Sequence, residues 1–373
     1  MPLGSILGQS GVGDIFFHLF KIPFIIIMII ITLFHLNYKV RMPFISQLFI
    51  FFGVLSLIHG VFTNPISKVT ATHLYGAVMP ILAISFGSYF IEHANIKTIK
   101  LLYRMLKYSF YLLSMLIVVY FLLYLNGNII YFGMATKVPY FTAYFLSVGS
   151  NIGFSASVVI TLMTGKRAMI SAILAQILFI YFHLNEWKYL SILKRRLVLV
   201  LLIVVLVLIA LATNTLSRFQ PFLNLDLFDK HAMYLATSGR SSEIFGILEY
   251  FSREEFSWFY GGGFGETYSY ISEFSKGSVE VTQHYSHFSP FYYILVYGSI
   301  FTTLLYAAIL KIFLKSLLMP SNLFSLIAIG MFAVSFLGAS MLVDPQLWFF
   351  IGALIHICKY PVQYDKFSLA IRR

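Results

Sequence analysis

Long apolar runs are the feature of this 373-residue chain that most restricts its fold. A helix that crosses about 30 Å of hydrocarbon needs about 20 mostly apolar residues. Eight runs approach or exceed that length, and a shorter ninth follows at Gln346–Tyr360. The eight are Ile15–Leu36, Phe44–Phe62, His73–Ile91, Tyr108–Leu125, Ala168–Leu184, Leu197–Ala212, Pro290–Leu310 and Leu323–Val343. The sequence therefore predicts an all-α fold, a polytopic transmembrane helical bundle of about 9–11 spans.

Composition excludes the main soluble classes. The chain is 59% hydrophobic and 11% charged, whereas soluble domains average about 45–50% apolar and about 25% charged residues. The mean hydropathy of +0.85 agrees with a lipid environment. A single cysteine, Cys358, provides neither a disulfide framework nor a thiolate metal cluster. No small-residue cleavage site follows Lys21, so we expect the first apolar run to stay as a span.

Basic residues between the runs predict the orientation, because cytoplasmic loops are rich in Lys and Arg. Five basic segments can all lie on the same side of the membrane only if Pro139–Met163 crosses it an even number of times. These segments are 39–41, 97–107, 188–196, 311–315 and 359–373. The polar centre of this stretch, Gly149–Gly153, favours a broken or re-entrant hairpin. The alternative is one ordinary span and one loop that violates the charge rule. The hairpin places the N-terminus outside and the C-terminus inside.

This topology divides the chain into three parts. Residues 1–212 form an N-terminal transmembrane bundle, 213–289 form one long external loop, and 290–373 form C-terminal spans with a cytoplasmic tail. The loop contains nine of the 14 acidic residues and five basic residues, a net charge of −4. The net charge of +12 for the whole chain therefore reflects topology, and we expect no nucleic-acid partner.

The external loop is predicted to be partly helical. One face of an amphipathic helix from about Arg240 to Phe251 carries Ile244, Ile247, Leu248 and Phe251, and this helix either packs on the bundle or lies on the membrane surface. Ser252–Glu255 has the spacing of a capping box. The glycine-rich segment Tyr260–Glu266 lacks the features of a phosphate-binding loop, so we expect a flexible turn near the bilayer or a substrate.

Two cationic sites on the external side are candidates for binding an anion. Lys166 and Arg167 stand at a span end, where basic residues commonly anchor the membrane interface, but here they oppose the positive-inside preference. Arg240 stands at a predicted helix start, where backbone N–H groups favour an anion, although a simple pair with Glu243 is the plainer interpretation. Because arginine matches phosphate oxygens bidentately, these residues suggest a diphosphate site.

Two histidines precede the span that begins at Pro290. His284 and His287 are three residues apart, but the sequence shows no further ligand set, so we predict no metal site. A histidine at the external membrane edge suits a general base, since its ordinary pKa of about 6.5 allows it to accept a proton near neutral pH. An interfacial hydrogen bond is the alternative role. Because the acidic residues lie outside the spans, a proton-coupled transporter is disfavoured.

In their order along the chain, these clusters resemble the O-antigen polymerase and O-antigen ligase superfamily of bacterial envelope glycosyltransferases. The resemblance covers about Pro139 to Leu354. It is carried by Thr164–Ala168 at a span start, Ser238–Arg240 at a helix start, Gly261–Gly265, and His287 with Gly298 eleven residues later. The chain departs from the ligase pattern at Phe288, Phe301 and Lys166, which favours a polymerase.

The resemblance implies an inverting transferase of the bacterial inner membrane, with its active site facing the periplasm and with no metal or cofactor. The donor would be a glycan on undecaprenyl diphosphate, and the acceptor another lipid-linked repeat unit or, for a ligase, lipid A–core. Arg240 and Arg167 would neutralise the leaving diphosphate, and His287 would activate the acceptor hydroxyl. Further substrate-binding candidates are Lys166, Arg253, His284 and Glu243. A chain-length regulator and a flippase are expected partners, and a lipid-linked polysaccharide transporter is the alternative from another functional class.

Overall fold

The computed structural model describes residues 26, 28–30, 42–125, 138–163, 167–182, 240–253, 257–275, 277–319, 322–337 and 345–361, and most of them are helical. The helices in these ranges are α1 (Phe44–Thr63), α2 (Lys68–His93), α3 (Ile96–Leu125), α4 (Val138–Val148), α5 (Asn151–Met163), α6 (Arg167–Tyr181), α7 (Arg240–Arg253), α8 (Ser257–Tyr260), α9 (Ser289–Leu317), α10 (Leu323–Leu337) and α11 (Pro345–Lys359). Two strands, β1 (Tyr268–Ser275) and β2 (Gly277–Gln283), lie between α8 and α9.

Three helices are long and apolar enough to cross a membrane. They are α1 with 20 residues, α2 with 26 and α9 with 29. Each overlaps a predicted span, so the mainly helical class is confirmed, and three of the predicted spans are helices that could cross a membrane. The predicted run Leu197–Ala212 and most of Ile15–Leu36 lie outside the described residues. The full number of spans and their orientation stay predictions.

The stretch Pro139–Met163 is divided into two short helices. α4 has 11 residues and α5 has 13, and each is shorter than the roughly 20 residues that a span needs. Gly149, with a φ of 75°, separates them in the left-handed conformation that glycine adopts without strain. The glycine-rich centre therefore breaks the helix, which is the local geometry that the predicted hairpin requires.

Glycines bring α2 and α11 into close antiparallel contact. A Cβ added to Gly87 would collide with the carbonyl oxygen of Phe349, and one added to Gly352 would collide with that of Ile84. Small residues allow such close backbone approach, a common way for helices to associate within a membrane. α11 therefore packs along the predicted span α2 although it is itself only 15 residues long.

A buried amide joins three of the shorter helices. The Nε2 of Gln176 on α6 donates to the carbonyl of Pro139 at 2.8 Å and to that of Leu326 on α10 at 3.0 Å. Its Oε1 accepts from the hydroxyl of Thr142 on α4 at 2.5 Å. Because polar atoms in an apolar interior are costly when unpaired, these bonds fix the relative positions of the three helices.

The two strands depart from the all-helical class expected from the sequence. β1 and β2 form an antiparallel hairpin in which Tyr268 pairs with Gln283 and Tyr270 with Val281. Its register is irregular between Ser272 and Ser275. The hairpin leads directly into His284, so it connects the glycine-rich segment to the histidines that precede α9.

Candidate functional site

The centre of the candidate site is a hydrogen-bonded pair formed by Glu243 and His287. The Nδ1 of His287 lies 2.7 Å from Oε1 of Glu243, and the backbone N–H of His287 donates to Oε2 at 2.9 Å. The hydroxyl of Ser286 also donates to Oε2, at 3.3 Å. The carboxylate thus holds the imidazole and the backbone of the same residue.

The two partners differ in their access to solvent. The side chain of Glu243 is 7% exposed, whereas that of His287 is 41% exposed. Because an ionised carboxylate only accepts hydrogen bonds, its contact with Nδ1 places the proton on that nitrogen. A neutral His287 then has its lone pair on Nε2, the position required of a general base.

Packing of α7 fixes the position of Glu243. Ile247 and Phe251 are buried on the inner face of this helix, where they contact Tyr268 of β1 and Leu295 of α9. Gly246 lies against the backbone of Ser269, with no room for a Cβ. The predicted amphipathic helix is therefore present and packs on the protein. The predicted capping box is wrong, because Ser252 lies in the last turn and donates back to the carbonyl of Glu249 at 2.7 Å.

The β-hairpin supports the segment that carries His287. The hydroxyl of Tyr268 donates to the carbonyl of Tyr285 at 3.0 Å. Burial raises the pKa of this tyrosine, and the nearby carboxylate of Glu243 adds to the shift, so Tyr268 stays a neutral hydrogen-bond donor. This hydrogen bond fixes the backbone two residues before His287.

The glycine-rich segment is a buried structural contact, so the expectation of a flexible turn is wrong. The N–H of Gly262 donates to the carbonyl of Leu295 on α9 at 2.8 Å, and the N–H of Phe264 donates to that of Ser56 on α1 at 2.9 Å. The side-chain amide of Asn64 donates to the carbonyl of Gly262 at 3.0 Å. Phe264 itself is fully buried. The segment therefore ties the site to two predicted spans.

Gly298 permits this contact on the side of α9. It has a φ of 85° inside the helix, and a Cβ there would collide with the carbonyl of Phe259. The helix therefore breaks where α8 and the glycine-rich segment pack against it. This glycine, one of the residues that carry the family resemblance, has an evident structural role.

His73 is a site residue that no sequence motif indicates. This buried residue of α2 bonds through Nε2 to the carbonyl of His284 at 2.9 Å, and its Nδ1 accepts from the N–H of Gly265 at 3.1 Å. The two contacts require the neutral Nε2–H tautomer. His73 therefore connects the glycine-rich segment with the histidine segment. Its position at the start of an apolar run is only a weak sequence signal.

A row of rings extends from His287 towards α2. The ring centroids of His284 and Tyr285 are 5.2 Å apart, and those of Tyr285 and His287 are 5.4 Å apart. Burial lowers the pKa of His284, and the positive charge of Lys68, the first residue of α2, lowers it further. Tyr285 separates the two histidine rings. No group of three metal-ligating side chains occurs within the described residues.

The predicted cations are distributed as follows. Arg240 begins α7 three residues before Glu243, so the two lie on the same side of the helix, with Cβ atoms about 5–6 Å apart. Arg253 pairs with Glu249 at 2.5 Å on the exposed surface, about 15 Å along the axis from Glu243. The structure therefore gives Arg253 a surface partner and does not bring it to His287.

Arg167 begins α6, although its side chain and Lys166 lie outside the described part of the structure. The first two turns of α6 pack on Val334 of α10 through Met169 and Ala172. The neighbouring Ser335 accepts a hydrogen bond from Ser289, two residues after His287. The helix that Arg167 begins therefore starts at the same end of the fold as His287.

Comparison of the chain with protein-family models, curated proteins and solved structures gave no match.

Proposed function

We propose that this chain is a membrane glycosyltransferase that polymerises undecaprenyl-diphosphate-linked repeat units into O-antigen or a related surface polysaccharide. The supporting observation is the pair formed by Glu243 and His287, since a carboxylate that orients a partly exposed imidazole is a common arrangement for general-base catalysis. The membrane character of the chain agrees with a lipid-linked substrate. The assignment to the bacterial inner membrane, with the site facing the periplasm, belongs to the same proposal.

In this mechanism His287 activates the acceptor. Its Nε2 takes the proton of an acceptor sugar hydroxyl while that oxygen attacks the anomeric carbon of the donor glycan. The bond from this carbon to the diphosphate oxygen breaks, its electron pair leaves with undecaprenyl diphosphate, and the configuration inverts. Glu243 stabilises the imidazolium through the Nδ1–H bond of 2.7 Å.

Arginines are assigned to the leaving group. The diphosphate gains negative charge as the bond breaks, and preorganised cations lower the energy of that transition state. Arg240 begins the helix that carries Glu243, and Arg167 begins a helix that starts at the same end of the fold. We assign both arginines to the diphosphate, with Lys166 as a further cation.

A polymerase is preferred to a ligase because of two phenylalanines. Phe288 stands immediately before α9 and packs on Phe291 and Phe336. Phe301 is fully buried against Phe49, with ring centroids 5.2 Å apart. Both positions depart from the ligase pattern, and here both serve helix packing.

The deciding experiment is a gel of surface polysaccharide from cells that lack only this chain. A single repeat unit on lipid A–core is expected, because ligation continues while elongation stops. Restoring the wild-type gene should restore the ladder, and a folded His287→Ala variant at equal abundance should not. Bare lipid A–core with long chains held on undecaprenyl diphosphate would instead indicate a ligase. An unchanged ladder would reject both assignments.

A further inference from the structure

The first half of α3 carries four basic residues on one face. This basic stripe consists of Lys97, Lys100, Arg104 and Lys107. They are spaced by three, four and three residues, so they fall within about 80° around the helix axis. All four are exposed. The sequence of α3 contains no Asp or Glu. Among the described residues, no ion pair joins the stripe to an acidic side chain.

An exposed apolar row runs beside the basic stripe. This apolar flank consists of Leu101, Met105 and Tyr108, which are 56%, 59% and 67% exposed. The opposite face of the same helix is packed, since Ile99 and Phe110 are buried. The helix thus has one face in the protein core and an outer surface that is half cationic and half apolar. Such a surface suits the boundary between lipid headgroups and acyl chains.

The position of α3 in the chain places this surface at a membrane boundary. α2 is one of the helices long and apolar enough to cross a membrane, and only two residues separate its end at His93 from the start of α3 at Ile96. The second half of α3 coincides with the predicted span Tyr108–Leu125. The basic stripe therefore lies in the connection between two apolar segments, where a bilayer has its headgroups.

We propose that the basic stripe binds the headgroups of anionic phospholipids while the apolar flank inserts among their acyl chains. Charge alone would also suit an acidic protein or a nucleic acid. The exposed apolar flank favours lipid as the partner, because an acidic protein or a nucleic acid does not cover an apolar row that adjoins a predicted membrane span. The proposed lipid site is separate from the proposed catalytic site, and this proposal does not depend on whether the chain transfers glycans.

The test uses the purified full-length chain in detergent, with phosphatidylglycerol and phosphatidylcholine supplied in equal amounts. Native mass spectrometry measures how much of each lipid the protein retains. We expect a preference for phosphatidylglycerol that falls as salt is added. Each removed charge should lower the preference roughly fivefold at low ionic strength, so Lys100→Gln/Arg104→Gln should lose most of it.

Lys311→Gln/Lys315→Gln is the matched control. It removes two exposed basic residues from the last turns of α9. This variant should retain the preference, and Lys97→Gln/Lys107→Gln provides a second test of the stripe if the first double variant does not fold. Equal retention of the two lipids by the wild type would overturn the proposal. So would equal losses in the stripe and control variants, because the preference would then reflect general charge and not this surface.

Discussion

Glu243 holds His287 by two separate atoms. One carboxylate oxygen lies 2.7 Å from the ring Nδ1, and the other accepts the backbone N–H at 2.9 Å. The ring can therefore neither rotate about its side-chain torsions nor shift with its loop without breaking a charge-assisted bond. The arrangement leaves Nε2 on the side of the ring away from the carboxylate and makes Glu243 a positioning residue in the proposed reaction.

Glu243→Gln should lower transfer activity sharply. The amide offers one acceptor oxygen where the structure requires two, and its NH₂ group would face a donor of His287 or Ser286. We expect turnover to fall by roughly 10²- to 10⁴-fold, the range that general-base catalysis contributes. KM for the donor should change little. Initial rates with purified lipid-linked substrate would measure both constants.

Glu249→Gln is the matched control for that prediction. Glu249 lies on the same helix, but its carboxylate is exposed and pairs only with the exposed Arg253 among the contacts described. Exposed pairs of this type contribute little to stability, so activity should stay within about twofold of wild type. An equal loss of turnover in Glu249→Gln and Glu243→Gln would show that α7 is generally sensitive to charge and would contradict the positioning role.

Arg240→Lys should impair the proposed enzyme although it preserves the charge. A guanidinium engages two phosphate oxygens at once, whereas an ammonium group acts as a point charge. We expect kcat/KM to fall about 10-fold or more in Arg240→Lys, with a larger fall in Arg240→Ala, because each lost charge-assisted bond costs about 1.5–3 kcal/mol. Arg253→Lys should behave as wild type, since Arg253 contacts Glu249 at the surface. Full activity of Arg240→Lys would reject bidentate binding.

The helices and the site differ in how far the sequence predicts them. α1, α2 and α9 follow from uninterrupted apolar runs, and α7 follows from a helical apolar face that ends within two residues of the observed Arg253. The β-hairpin carries its own signal, because Val279 and Val281 alternate with polar residues after the glycine turn. That alternation covers fewer residues than a membrane span needs, so it does not belong to the apolar runs that predict the spans.

Contacts between distant segments explain what the sequence could not predict. His73 bonds to residues 192 and 211 positions away, and no local pattern encodes such partners. The glycines of the segment Tyr260–Glu266 are compatible with a flexible turn and also with a buried one. The structure decides for burial because Gly263, with a φ of 83°, approaches the backbone nitrogen of Gly60 too closely for any Cβ.

Gly60→Ala should destabilise the protein, whereas Gly53→Ala should not. Both glycines lie on α1, but a Cβ at position 60 would collide with backbone atoms of Phe264, while one at position 53 would lie 3.5 Å from the Cβ of Ala77. We expect Gly60→Ala to lower the free energy of unfolding by about 1–3 kcal/mol. Thermal unfolding in detergent would measure both variants. Equal Tm values would argue that the glycine-rich segment does not pack on α1.

Glu266→Gln should stabilise the protein at neutral pH and have little effect in acid. Burial raises the pKa of this carboxyl above its usual 4.5, although hydrogen bonds from Thr267, Tyr250 and Asn64 oppose the shift. A carboxyl with a raised pKa binds its proton more tightly when the chain is folded. Its contribution to stability is therefore present below pH 4.5 and is lost as the pH rises through the folded-state pKa.

The Tm difference between Glu266→Gln and wild type should thus start near zero in acid, because glutamine resembles a protonated glutamate. It should grow as the pH rises above 4.5 and then level off near neutrality. Comparing the two proteins at each pH cancels the opposite contribution of His284, whose lowered pKa favours folding as the pH rises towards 6.5. A Tm difference that is constant with pH, or that grows in acid, would show that burial does not control Glu266.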